Sequence, residues 1–136
     1  MTDVKFPSPF YRVAAKAIIR NQQNEVLLVK ERSDLWSIPG GGLEHGEDLY
    51  DAVRREVAEE LGIETKAISS QPCFSFSALN TKYGVWCLAV CYEVSVDPDA
   101  KFVLGDGSTE ARYFSVEQIK HKVQLEPADR PLSAFL

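Results

Sequence analysis

Three glutamates lie close together near the middle of this 136-residue chain, at positions Glu56, Glu59 and Glu60. Carboxylate oxygens are hard ligands of the kind that Mg²⁺ and Mn²⁺ prefer. On a helix, Glu56 and Glu60 are separated by roughly 40°, and Glu59 lies roughly 60° to the other side of Glu56. Like charges at this spacing repel one another and destabilise a helix. The pattern therefore predicts a divalent cation among the three carboxylates.

A helix that begins near Glu47 or Asp48 and ends at Leu61 must carry these glutamates. Asp48 is the predicted N-cap, and Gly62 is the predicted C-terminal stop. Apolar residues recur at helical spacing and predict a stripe that packs on the core: Leu49, Tyr50, Val53, Val57 and Leu61. The glutamates border this stripe, so we expect them to look from its rim into a cleft.

Three consecutive glycines, Gly40 to Gly42, come shortly before this helix. Glycine lets the backbone take positive φ and approach a ligand or another element closely. Taken alone, the run is more typical of a flexible turn. The first interpretation predicts a fixed backbone beside the glutamates, and the second predicts a mobile connection.

Strands are predicted on both sides of the helix from their apolar patterns, at 11–20, 25–30, 67–79, 85–96 and 111–114. The polar turn 21–24 suggests that the first two form a hairpin. The segment 35–38 is either a strand or a packed loop. The strand 85–96 is apolar almost throughout, which is typical of a central strand.

A second helix is predicted from an N-cap at Ser115 to about Lys122, and the tail from Leu125 is predicted to be irregular. Together these elements predict an α/β fold in which helices cover both faces of a mixed sheet, an α/β/α sandwich. The length fits a single domain over residues 1–136.

The charge and cysteine content exclude several classes of protein. With 15 basic and 20 acidic residues the net charge is −5, which argues against nucleic-acid or membrane-surface partners. A small phosphorylated substrate is compatible with this negative charge, because a bound metal ion makes the local charge positive. No apolar run approaches the length of a membrane span, and the first ten residues lack the apolar run expected of a secretory signal. Cys73, Cys87 and Cys91 form no zinc pattern and are predicted to be small buried residues of a cytoplasmic protein.

The stretch from Gly41 to Ile63 resembles the Nudix box, which is a glycine, five residues, a glutamate, seven residues and then R-E-U-x-E-E-x-G-U, where U is a bulky apolar residue. Here Gly41 and Glu47 are followed by the run R-E-V-A-E-E-L-G-I at 55–63. Every specified position is filled, and the box covers 23 of the 136 residues. The flanking strand pattern is also similar to the sandwich of the Nudix hydrolase family.

Nudix enzymes cleave nucleoside diphosphates linked to another moiety, so the resemblance implies hydrolysis of a pyrophosphate bond with Mg²⁺, or possible Mn²⁺. It implies that Glu56 and Glu60 are the principal metal ligands and that Glu59 is a third or water-mediated one. The Gly40 carbonyl resembles a backbone ligand. In some family members the residue that matches Glu56 is proposed as the general base.

The resemblance implies a supporting role for the other box residues. Arg55 is expected to orient a box glutamate and so to belong to the catalytic set with Glu56 and Glu59. Glu47 is a candidate partner for Arg55, although a first-turn acid that complements the helix dipole explains it equally well. Gly41 and Gly62 are expected to be structural.

Candidates outside the box rest on residue type alone. Lys16 and Arg32 are predicted to contact phosphate groups, with Arg20 and Lys30 as alternatives. The distal acids Glu110 and Asp106 are candidates for a base, a further ligand or a substrate contact. For each of these residues a solvated surface position is the competing interpretation.

The substrate is predicted from the small size of the chain and from the absence of the sequence signatures that mark other Nudix subgroups. The short chain resembles the MutT-like pyrophosphohydrolases, which convert a nucleoside triphosphate, (d)NTP, to the monophosphate and pyrophosphate. ADP-ribose or another nucleotide sugar is the enzymatic alternative. A Nudix module that senses a nucleotide without cleaving it is the alternative from another class. The expected partner is a small-molecule nucleotide, with a possible homodimer.

Overall fold

The computed structural model describes residues 7–31 and 33–136. Within them the strands are β1 (Tyr11–Ile19), β2 (Val26–Lys30), β3 (Trp36–Ser37), β4 (Gly40–Gly42), β5 (Ala67–Ile68), β6 (Phe74–Asn80), β7 (Val85–Ser95) and β8 (Glu110–Phe114). The helices are α1 (Leu49–Leu61), α2 (Val116–His121) and a 3-10 helix (Pro127–Ala134). The predicted α/β class is confirmed.

The described strands form two sheets. The larger sheet has the order β4-β1-β7-β5, and β6 also pairs with β7. β1 and β7 run parallel, from Tyr11 opposite Trp86 to Ile19 opposite Val94, whereas the other pairs in this sheet are antiparallel. The sheet is therefore mixed, as predicted, and β7 is its central strand. The smaller sheet is antiparallel and has the order β3-β2-β8.

The predicted hairpin of the first two strands is wrong. β1 and β2 lie in different sheets, and between them the structure has an isolated bridge of Arg20 with Val26 in place of a hairpin ladder. Both edges of β1 are already taken, because β7 pairs along one edge and β4 along the other. The side chain of Asn21 turns the chain by accepting a hydrogen bond from the Glu25 N–H at 2.9 Å. β2 therefore leaves the first sheet and begins the second.

Two apolar clusters lie on opposite faces of β1. Ala15, Ala17 and Ile19 pack in one cluster with the apolar stripe of α1, which includes Val53 and Val57. Ile18 belongs to the other cluster, with residues of α2 and of the 3-10 helix such as Ile119 and Leu132. The second half of β1 packs on both faces because helices cover both sides of the sheet, whereas its first residues are exposed. This is the sandwich that the sequence predicts.

The boundaries of α1 follow the predicted capping residues. The Asp48 side chain accepts a hydrogen bond from the Asp51 N–H at 2.8 Å, which satisfies a donor of the first turn. Gly62 adopts the left-handed conformation with φ of 64° and donates to the Ala58 carbonyl at 3.0 Å. Within the described part of the chain, no helix has the length and apolar character of a membrane span.

The prediction of an irregular tail is wrong. Residues Pro127–Ala134 form a 3-10 helix, in which Leu132 and the carboxylate-bearing Asp129 are buried. Pro127 favours the start of this helix because its fixed φ suits the first turn. The side chain of Asp129 then accepts a hydrogen bond from the Ile38 N–H at 3.0 Å. The tail therefore closes over the second cluster and touches the segment before β4.

The prediction for the cysteines is correct for Cys91, which is fully buried, and wrong for Cys73, which is exposed. Cys73 directly precedes β6, which among the described strands pairs with β7 alone. Burial raises the pKa of the Cys91 thiol to about 12. All three cysteines are free thiols.

Candidate active site

Arg55 lies on α1 and binds three carboxylates with one guanidinium. Its Nε and Nη2 donate to the two carboxylate oxygens of Glu47 at 2.7 and 2.9 Å. Its Nη1 donates to Glu56 Oε1 at 2.9 Å and to Glu59 Oε2 at 3.3 Å. The two-pronged contact with Glu47 raises the pKa of Arg55 and lowers that of Glu47, so both groups stay charged. The expected Arg55–Glu47 pair is present, and it connects the loop before α1 to the helix.

The glycines form the short strand β4 and not a flexible turn. Gly40, Gly41 and Gly42 pair with residues 16, 15 and 14 of β1. A Cβ placed on Gly41 would lie 2.6 Å from Glu56 Oε1, so only glycine lets the carboxylate approach the backbone this closely. Gly40 has φ of 136°, and a Cβ there would lie 2.2 Å from the Ala15 carbonyl oxygen. β4 therefore holds a fixed backbone beside the glutamates.

Glu60 lies deeper than the rim position that the helical spacing predicts. It is 2% exposed, and its Oε1 accepts a hydrogen bond from the Gly40 N–H at 2.8 Å. Its Oε2 is buried and has no hydrogen-bond partner among the described residues. Burial raises the pKa of this carboxyl to about 8, although Lys16 and the Gly40 N–H act in the opposite direction. A buried, partly unpaired carboxylate is unfavourable unless a cation lies beside it.

A distal loop brings a fourth acid to the glutamates. Carboxylate oxygens of Glu56, Glu59 and Asp106 lie within 4.8 Å of one another. The loop is attached to the end of α1, because the Val103 N–H donates to the Leu61 carbonyl at 2.9 Å and the Gly105 N–H to the Glu60 carbonyl at 3.1 Å. These bonds satisfy carbonyl groups that a helix end leaves without partners. Of the two distal acids named from the sequence, Asp106 is the one that joins the cluster.

The donor set fits a hard divalent cation. All of the converging side-chain donors are carboxylate oxygens, which suit Mg²⁺ and Mn²⁺ and not Zn²⁺ or copper. The unpartnered oxygen of Glu60 supplies an independent indication, since a bound cation would compensate its burial. The acidic cluster could therefore hold a metal ion.

A family model described as the NUDIX domain matches residues 10–136. The chain belongs to the Nudix hydrolase family. The "Putative nudix hydrolase 1" of Caenorhabditis elegans is 31% identical over 124 residues, which cover 86% of this chain and 32% of that protein. The "Putative 8-oxo-dGTP diphosphatase" of Bacillus subtilis (strain 168) is 34% identical over 77 residues, which cover 56% of this chain and 44% of that protein. The matched part is thus less than half the length of either curated relative.

The Nudix fold is also that of a solved domain. The NUDIX domain of Shewanella oneidensis NrtR, determined in complex with ADP ribose, aligns with a TM-score of 0.72. The alignment covers 99% of this chain and 96% of that one, at 20% sequence identity. At this identity the likeness concerns the fold alone.

Lys16, which the sequence offered as a phosphate contact of this Nudix domain, lies inside the protein. Its Nζ donates to the Ile38 carbonyl at 3.2 Å and lies 3.6 Å from Asp129 Oδ2. Burial alone would lower the pKa of this amine, but Asp129 and Glu60 attract its charge and raise the pKa above the ordinary value. Its ammonium group is therefore already engaged with protein oxygens.

The remaining predicted contacts have other surroundings. Glu110 begins β8, pairs with Lys30 at 3.6 Å and contacts Arg112, and it is not part of the carboxylate cluster. Arg20 pairs with Glu93 at 3.3 Å. Arg32 lies outside the described residues. The sequence-based substrate contacts thus do not converge in the described part of the chain.

Sequence reasoning missed Asp129 and the attachment of the Asp106 loop. Asp129 lies between two prolines in the tail, where the local pattern indicates only irregular structure. For the loop, the glycine at position 105 was the one available signal in the sequence. Only glycine fits there, because a Cβ would lie 2.5 Å from the Glu59 carbonyl oxygen. Both features depend on contacts between segments that are far apart in the chain.

Proposed function

We propose that this Nudix domain is a divalent-metal-dependent pyrophosphohydrolase whose substrate is a nucleoside triphosphate, giving the monophosphate and pyrophosphate. The observation that carries the proposal is the cluster of Glu56, Glu59 and Asp106, together with the unpartnered oxygen of Glu60 beside it. The name of the Bacillus subtilis relative, an 8-oxo-dGTP diphosphatase, supports a triphosphate substrate. The proposal takes residues 1–136 as one catalytic domain that acts in the cytoplasm on a small molecule.

The metal in this proposal is Mg²⁺, with Mn²⁺ as a substitute. Glu56, Glu59 and Glu60 would hold it together with the Gly40 carbonyl, and Asp106 would add a further carboxylate. Bound there, the cation offsets the negative charge of the phosphate chain and lowers the pKa of a water molecule.

The residues of this chain position the reacting groups. Arg55 binds Glu56 and Glu59 and keeps their carboxylates in one arrangement. Gly41 gives Glu56 a fixed support on the other side. In the proposed reaction Glu56 accepts the proton of the attacking water, the water oxygen bonds to phosphorus, and the bond between that phosphorus and the bridging oxygen breaks. The bridging oxygen leaves with the other phosphate group.

The test is hydrolysis of a nucleotide panel by the purified protein with Mg²⁺, with products separated by ion-exchange chromatography. The panel contains ribo- and deoxynucleoside triphosphates, 8-oxo-dGTP, ADP-ribose and a dinucleoside polyphosphate. Nucleoside monophosphate and pyrophosphate are the expected products. If ADP-ribose alone is cleaved, the proposed reaction type is correct but the substrate is a nucleotide sugar and not a nucleoside triphosphate.

Two variants assign the site. Glu60→Gln keeps the size of the side chain and removes its charge, so we expect turnover to fall on the order of 100-fold or more. Glu64→Gln is the matched control, because Glu64 is exposed and lies just beyond α1. Equal turnover by Glu60→Gln, Glu56→Gln and the wild type would show that these glutamates do not form the active site. Metal-dependent nucleotide binding without turnover of any compound would identify a sensing module.

A further inference from the structure

Arg12 lies on β1 beside the glycine strand. A Cβ placed on Gly42 would lie 2.1 Å from Arg12 Nη2 and 2.6 Å from its Nε. The guanidinium therefore rests against the backbone of Gly42 in the space that a side chain would otherwise fill. Because Gly42 pairs with Ala14, two residues further along β1, the Arg12 side chain leans along the strand toward β4.

The side chain of Arg12 has no hydrogen bond or ion pair with any residue in ranges 7–31 and 33–136, although its backbone pairs with Cys87 of β7. It is also exposed, so its donors are available to a ligand. The other cations near the site differ in this respect, since Lys16 is paired with Asp129 and Arg55 with Glu47. A guanidinium offers five N–H donors in a rigid fork, which matches the oxygens of a phosphate group.

The position of Arg12 relates it to the carboxylate cluster. The consecutive residues Gly41 and Gly42 contact Glu56 and Arg12, respectively, and successive positions of a strand face opposite sides. β4 is the edge strand of its sheet in the described structure. A chain of phosphates that crosses this edge would meet acids with their metal on one side and a free guanidinium on the other. The two glycines that make these contacts are consecutive, so they are about 3.3 Å apart along β4.

We propose that Arg12 is a substrate-binding residue that holds a phosphate group next to the one that reacts. This inference rests on the proposed pyrophosphohydrolase function and names a contact for that substrate. The site needs such a cation, because the chain carries a net charge of −5 and the converging side chains at the metal site are all acids. Arginine also binds phosphate in a two-pronged way that a lysine point charge does not reproduce.

Arg12→Ala and Arg12→Lys test the contact through the separation of KM and kcat. For Arg12→Ala we expect KM for the triphosphate to rise about 10-fold or more with kcat within about 3-fold of wild type, because ground-state binding is lost. Arg12→Lys should recover only part of this loss. Arg54→Ala is the matched control, since Arg54 is an exposed arginine on α1. An unchanged KM in Arg12→Ala would overturn the inference.

Gly42→Ala gives a second test that keeps the arginine and moves it. The added methyl group takes the place of the guanidinium, so KM should rise as in Arg12→Ala. Because both changes remove the same contact, the double variant should be no worse than Arg12→Ala alone. Fully additive effects would show that the two residues act separately and would overturn the inference. Thermal melting of each variant checks that the fold is kept.

Binding of inorganic pyrophosphate in the presence of Mg²⁺, measured by calorimetry, separates this inference from the proposed function. If the wild type cleaves no nucleotide, the proposed function fails, but about 10-fold weaker binding by Arg12→Ala would still support the contact. Equal binding by the wild type and Arg12→Ala would overturn the contact even if hydrolysis is observed. Absence of binding by the wild type would overturn it as well.

Discussion

The Glu56 carboxylate rests against the backbone of Gly41, a residue 15 positions earlier in the chain. A Cβ on Gly41 would lie 2.6 Å from Glu56 Oε1 and 2.9 Å from its Cδ. On its other side the same Oε1 accepts a hydrogen bond from Arg55 at 2.9 Å. The glycine strand and the arginine thus confine the carboxylate between them.

Gly41→Ala should lower kcat on the order of 100-fold, because the methyl group displaces the Glu56 carboxylate by about 1 Å. The backbone of Gly41 does not require a positive φ, so the variant should fold. Steady-state kinetics with Mg²⁺ and thermal melting provide the measurements. Gly84→Ala is the control for loss of a glycine away from the site: a Cβ there meets nothing within 4 Å, so kcat should be kept, and its positive φ of 65° should lower only the melting temperature. Wild-type kcat in Gly41→Ala would show that the close approach has no part in activity.

Mg²⁺ or Mn²⁺ should stabilise the wild-type protein, because a cation that binds only the folded state adds about 2.7 kcal/mol at 100 times its Kd. Glu60→Gln should lose most of this effect, since the unpartnered Oε2 becomes a neutral amide group. Melting temperatures with EDTA and with each metal provide the measurement. Glu64→Gln should respond to metal as the wild type does. A metal-induced shift of equal size in Glu60→Gln would mean that the cation binds elsewhere.

Glu47→Gln should lower stability at neutral pH and lose that effect in acid. The hydrogen bonds from Arg55 lower the pKa of Glu47 below its ordinary 4.5 in the folded state. The stabilising contribution is therefore present above pH 4.5 and disappears as the pH falls through the folded-state pKa. Urea unfolding at pH 7 and at successively lower pH should show the wild-type and Glu47→Gln curves converging. A difference that grows in acid would contradict the assigned direction.

Asp129→Ala should destabilise the protein by about 3 kcal/mol, because it leaves the Lys16 ammonium without its carboxylate in a buried position. It also removes the acceptor for the Ile38 N–H, two residues before β4. The double change Lys16→Met with Asp129→Leu should recover much of the loss, since neither charge is then buried. Urea unfolding measures each step, with exposed Asp99→Ala as control. A single variant as stable as the wild type would show that the pair contributes nothing.

The features that sequence predicted correctly depend on neighbours a few residues apart. The ends of α1 at Asp48 and Gly62 follow from capping bonds that span three or four residues. The Arg55–Glu47 pair connects positions eight residues apart, and the resemblance to the Nudix box offered Glu47 as a candidate partner. The central position of β7 followed from its continuous apolar sequence, although Trp86 and Leu88 in the first half of the strand are exposed.

The predictions that failed concern the choice of partner among distant segments. The turn at Asn21 forms, yet β1 pairs with β7 instead of β2. The local pattern of β1 is compatible with either partner. The tail has no helical periodicity, and its 3-10 helix is fixed by contacts such as that of Asp129 with Ile38, 91 residues away. Competition between long-range pairings decides such features, and the local pattern of one segment does not show which pairing is the more stable.

The sequence by itself determined the membership in the Nudix family, the helix that carries Glu56, Glu59 and Glu60, and the residue types of a hard-metal site. These follow from local spacing, since a helix places residues three and four apart side by side. Only the tertiary structure decided that Asp106 and not Glu110 joins the cluster, that Lys16 is engaged with Asp129, and that the Arg12 side chain lies beside Gly42 without a partner among the described residues. The physical reason is that burial and strand pairing, which act between distant segments, determine which charged groups find a protein partner.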